Sequence, residues 1–91
     1  TEKELMEIFL LFAQKQHYVL SDEAVRVLSE HFQNVCRHRD EHFGNGRYVR
    51  NLFEKVVMEQ SSRIGANIEN VKQDELSVIT EDDVSRALLL M

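Results

Sequence analysis

Phe43-Gly44-Asn45-Gly46-Arg47-Tyr48-Val49-Arg50-Asn51-Leu52-Phe53-Glu54-Lys55 reads as a glycine-bearing turn that opens a helix, with two arginines in the first turns. A helix N-terminus carries roughly half a positive charge, so each arginine there costs about 0.3–1 kcal/mol. Acidic residues are the usual occupants. The cost makes sense if an anion is brought to the helix end, where free backbone N–H groups and guanidinium forks converge on its oxygens. Val49, Leu52, Phe53, Val56, Val57 and Ile64 recur at steps of three and four, the apolar stripe of an amphipathic helix. At ~100° per residue Arg47 points roughly opposite that stripe. Arg50 lies on its flank, with Glu54 one turn on as an ion-pair partner. Two readings of Arg47 stay open at this point: a solvated surface arginine, or a cation held out for a ligand.

Upstream, Thr1-Glu2-Lys3-Glu4 matches a capping box and predicts a helix from about Glu2 to Gln16. Leu5, Ile8, Phe9 and Phe12 form its stripe, widened by Met6, Leu10, Leu11 and Ala13. A helix this apolar is buried on more than one side or docks on something else. His17-Tyr18-Val19-Leu20 breaks the periodicity and reads as a short connector, since Tyr and Val favour extended backbone. Ser21 is an N-cap, with acidic Asp22 and Glu23 in the first turn. The second helix runs to about Arg37, with Ala24, Val25, Leu28, Phe32 and Val35 facing inward. His31, Cys36, His38 and His42 do not match a zinc spacing and read as surface histidines and a packed thiol.

Downstream, Arg63 suits the negative end of the central helix, and Gly65 reads as a left-handed residue past that end. Residues 66 to 78 are polar and weakly periodic, a loop that closes on a short extended piece at Val78-Ile79. Thr80-Glu81-Asp82-Asp83 is a further capping motif. The last helix turns Val84, Ala87, Leu88 and Met91 inward.

Ninety-one residues make one domain with a modest core, burying about 60–65% of the unfolded surface. Net charge is -5 and the isoelectric point is near 5.3, which disfavours non-specific nucleic-acid binding. The longest apolar run, Ile8 to Ala13, is far short of a membrane span. No secretory leader pattern is visible, and a lone cysteine fits a reducing, cytoplasmic setting. Proline is absent, as suits a mainly helical chain. There is no GxxxxGK phosphate loop, no GxGxxG turn and no nucleophile–base arrangement. No self-sufficient active site is expected.

From Gly44 to Ile64 the chain resembles the sensor-2 region of AAA+ ATPases of the CbbX and stage V sporulation protein K group. There, a run of Phe, Gly or Ala, Asn, a small residue, Arg, any residue, an aliphatic residue and Arg-Asn opens the third helix of the small C-terminal lid. Residues 43 to 51 follow it. The Leu5–Phe12 helix, the His17–Ser21 connector and the Ile79–Asp83 helix start also resemble this lid. The resemblance covers nearly the whole chain. It implies an all-α, four-helix lid bundle over residues 1–91, with a very short extended pairing between the connectors near 18–20 and 78–79.

By that resemblance Arg47 is the sensor-2 arginine, reaching toward the phosphates of ATP. Gly44, Asn45 and Gly46 form a turn that lets the backbone approach the nucleotide; a plain helix-start turn is the alternative. The phosphate loop, the acidic strand that binds magnesium, sensor 1 and the arginine finger are missing. The chain is therefore expected to be a lid cut from a longer ATPase, with Mg2+ held by a large α/β subdomain. Alone it should not hydrolyse ATP. Its expected partners are that subdomain, a neighbouring subunit in a ring hexamer and a protein substrate that the parent remodels, with no nucleic acid and no membrane. The alternative is a freestanding helical protein-interaction module with no nucleotide.

Overall fold

Thr1 accepts the Glu4 N–H on its hydroxyl at 3.3 Å and so caps α1, Glu2–Lys15. The computed structural model describes residues 1–38 and 45–91. Leu5, Phe9 and Ala13 are the buried stripe of α1, at the expected spacing of four. The helix ends on His17, whose φ of 64° lies in the left-handed region. The Tyr18 N–H donates to the Ala13 carbonyl at 2.8 Å and the His17 N–H to the Gln14 carbonyl at 3.1 Å. This is a Schellman ending in which histidine stands where glycine is usual.

The chain continues into β1, Val19–Leu20, and then α2, Asp22–His38. Ser21 caps α2 as expected, accepting the Ala24 N–H at 3.1 Å. Ala24, Leu28 and Phe32 are buried, while Val25 and Val35 are half-buried flanks. The central helix, α3, is Asn45–Ala66. Gly65 lies inside it and not past its end, and its φ is not positive. The chain leaves instead through the Asn67 N–H, which returns to the Ile64 carbonyl at 3.1 Å, so no left-handed residue is needed.

Two 3-10 turns, Ile68–Asn70 and Gln73–Glu75, shape the segment expected to be irregular loop. β2, Val78–Ile79, then pairs in parallel with β1, Val19 opposite Val78 and Leu20 opposite Ile79. α4, Glu81–Leu89, starts from a full capping box between Thr80 and Asp83. Val84 and Ala87 of α4 are buried and Leu88 is half-buried, but Met91 is exposed. Among the described residues the fold is the expected all-α four-helix bundle with one minimal strand pairing.

Phe53 is the hub of the core. Its ring meets Phe9 edge-on at 5.4 Å, stacks on Phe12 at 5.7 Å and meets Tyr18 edge-on at 6.3 Å. Phe32 of α2 joins through Phe9 at 6.4 Å. Three helices and the β1 connector thus share one aromatic cluster, and edge-to-face and offset pairs add about 0.5–1.5 kcal/mol each beyond burial. Val49, Leu52 and Val56 complete the inner face of α3 and are fully buried. With that face committed inward, the opposite face of the first turns is left to solvent.

Candidate functional site

Asn45 and Gly46 are the first residues of α3, so both are already helical where a turn was expected. Gly44 lies outside the described residues, as does the side chain of Asn45. Beyond its chain neighbours and its own helix backbone, no heavy atom of the described residues lies within 4 Å of where a Cβ at Gly46 would stand, which leaves that side of the backbone open to approach. Arg47 is exposed, as its angle on the helical wheel requires. Among the described residues no carboxylate pairs with it. Arg50 binds Glu54 at 3.3 Å, but both are largely exposed and the pair is worth little. Gly46, Arg47, Arg50 and Asn51 therefore share one solvent-facing surface over the first two turns of α3. The N-terminal end of α3, the positive end of its dipole, lies beside it. The arrangement suits an anion.

The other arginine of α3 is used differently. Arg63 donates from Nε and Nη2 to the two carboxylate oxygens of Asp83 at 2.9 and 3.1 Å, and from Nη2 to the Val78 carbonyl at 3.1 Å. Asp83 is almost wholly buried, and the Asp83 hydrogen bonds push the Arg63 pKa up. Gln60, also buried, donates to the Leu76 carbonyl at 2.8 Å and the Val78 carbonyl at 3.4 Å. Together they clamp the end of α3 to β2 and α4. The sequence reading gave Arg63 only a helix-end role and passed over Gln60. The signal was there: Gln60 and Arg63 stand seven residues beyond Phe53 and Val56, on the apolar stripe itself.

His31 also departs from expectation. It is half-buried, not a solvated surface histidine. Its ring lies nearly parallel to Tyr48 of α3, 6.0 Å between centroids and 18° between planes. Its Nε2 is hydrogen-bonded to the Tyr48 hydroxyl. Burial lowers the His31 pKa and raises that of Tyr48, which favours the neutral form of each. Cys36 packs partly against the core, as expected of a quiet thiol. His42 lies outside the described residues. Among those described, no helix is long and apolar enough to cross a membrane, and no three acidic, His or Cys side chains group as a metal site.

On α1, Leu10 and Leu11 are 42% and 54% exposed, and Val19 of β1 is 63% exposed. Leu10 and Val19 line one shallow depression with Tyr18 and Leu20. Of the two readings left open for this helix, burial on more than one side fails at Leu10 and Leu11, whose apolar surface stays exposed.

The AAA lid domain family matches residues 1–89. The chain belongs to the AAA lid domain family. It is similar to a CfxQ homolog protein of Galdieria sulphuraria, 32% identical over 92 residues, covering 99% of this chain and 30% of that protein. The chloroplastic ribulose bisphosphate carboxylase/oxygenase activase of Cyanidioschyzon merolae is 30% identical over 90 residues, 98% of this chain and 30% of that protein. Stage V sporulation protein K of Bacillus subtilis is 31% identical over 80 residues, 87% of this chain and 25% of that protein. This lid therefore belongs with the group named from its central helix. It spans under a third of the length of these relatives.

Proposed function

We propose that this AAA lid closes over ATP held by a large α/β subdomain of the same parent protein and directs Arg47 at the β- and γ-phosphates. The observation that carries this reading is a guanidinium on the outer face of the first turn of α3, without a carboxylate partner among the described residues. A cation placed against the helix dipole is stabilised when phosphate oxygens face it. Gly44, Asn45 and Gly46 are the proposed backbone edge of the site, and the open space over Gly46 supports that edge. Mg2+ falls to the large subdomain, where the acidic ligands of the group reside.

The exposed apolar surface around Leu10, Leu11 and Val19 is the proposed seat of the large subdomain. Lid rotation against that subdomain, within a ring of subunits, would couple nucleotide state to remodelling of a protein substrate. The same exposed surface is the one feature that favours the rival reading, a protein-binding module without nucleotide.

Arg47→Ala in the full-length protein tests the choice. Loss of a single guanidinium donor to developing phosphate charge should lower ATP turnover about 10²–10³-fold. An unchanged turnover would favour the module.

A further inference from the structure

We infer that the His31–Tyr48 contact is a brace that fixes the orientation of Arg47, which makes His31 and Tyr48 positioning residues for the phosphate-facing turn. The inference rests on the nucleotide reading above. Tyr48 follows Arg47 directly, and Val49 is the first fully buried residue of α3. The residues from Asn45 to Arg47 thus lie ahead of the helix's hold on the core, and half-buried Tyr48 is where that hold begins. Terminal turns without such a hold fray readily. The His31–Tyr48 contact ties this turn to α2.

Its geometry suits a brace. The parallel rings set the separation of the two helices at this point, and the hydroxyl-to-imidazole bond sets the rotation of the turn about its axis. His31 is itself seated against Phe32, a fully buried residue, at 5.9 Å. Rotation is the coordinate that matters for Arg47, because one residue of helix turns a side chain through about 100°. A turn free to unwind would spread the guanidinium over a wide arc. Held by the brace, it starts from one direction, and less ordering is left to the moment of binding.

The test is calorimetric titration of the full-length protein with ATP and with ADP. Tyr48→Phe keeps the ring and removes the hydroxyl. It should weaken ATP about three- to tenfold, the scale of one lost hydrogen bond, and weaken ADP less. His31→Gln retains an acceptor for the hydroxyl and should restore most of the ATP preference that His31→Phe loses. In an Arg47→Ala background, Tyr48→Phe should cause no further change. The brace is overturned if Tyr48→Phe leaves the ATP-to-ADP preference intact, or shifts it equally with and without Arg47. If Arg47→Ala itself leaves ATP affinity unaltered, the nucleotide reading fails and the brace with it. Loss from Arg47→Ala but not from Tyr48→Phe removes the brace alone.

Discussion

The two ends of α3 carry the same side chain and use it in opposite ways. Arg63 is half-buried, bidentate to a carboxylate that is 1% exposed. Arg47 stands in solvent on the first turn. Sixteen residues separate them, which at about 100° each places them roughly 160° apart around the helix. The helix dipole would favour Arg63 and oppose Arg47. One arginine is therefore explained within this chain, by the dipole and by Asp83. The other has no carboxylate partner among the described residues, and the proposed nucleotide would supply its anionic partner. A cation that stabilises its own fold and a cation held ready for a ligand can be told apart by whether their partners are local.

The sharpest way to break this contrast is to remove each arginine in turn. Arg47→Ala should cost the full-length protein its turnover on the scale given above, yet shift unfolding of this chain by no more than about 0.5 kcal/mol. A larger loss in denaturant titration would make Arg47 structural. Arg63→Ala should do the reverse. It leaves the Asp83 carboxylate buried without its partner, and should destabilise by about 2–4 kcal/mol, below the full cost of a wholly enclosed pair because Arg63 is 35% exposed. Below its melting temperature that variant should hydrolyse ATP normally.

Smaller effects sharpen the picture at the α3 start. Gly46→Ala meets no atoms and should stabilise the isolated helix turn by up to about 1 kcal/mol. If it nonetheless lowers ATP affinity in the full-length protein, the backbone there is a close-approach edge; unaltered affinity would restrict the site to side chains. His17→Gly should stabilise by about 0.5–1 kcal/mol, since glycine occupies the left-handed C-terminal position of α1 without the clash a Cβ brings.

The His31 prediction concerns pH. Burial lowers its pKa, so the unfolded chain binds the proton more readily than the folded one. Stability from this group is fully present above about pH 6.5, the unfolded value, and is lost as pH falls from there through the lower folded value. Urea unfolding at pH 7.5 and 5.5 should show that fall, and His31→Gln should lessen it. An identical pH slope in both proteins would mean that His31 is not buried in solution.

Much of the architecture was legible in local patterns. Thr1, Ser21 and Thr80 each mark a helix start because a hydroxyl that satisfies orphan N–H groups acts within three residues of itself. Leu5, Phe9, Leu28, Phe32, Leu52 and Phe53 lie inside because apolar spacing reports which side of a helix leaves water. The same periodicity put Arg47 outward, and the motif around it led to the AAA lid family. The polar interior was less readable. Gln60, Arg63 and His31 occupy stripe positions, a hint that they are enclosed, but their partners lie on other elements.

From its order of residues alone, this chain fixed its four helices, their inner faces and the outward cation. Those follow from interactions within a turn or two. Only the tertiary structure decided that Arg63 would meet Asp83, twenty residues away, that His31 would meet Tyr48, and that Val19 and Leu20 would pair with Val78 and Ile79. Each of those choices is made when helices pack and bring distant backbone and side-chain groups out of water together. A buried polar group must then find its partner wherever the packing has placed one.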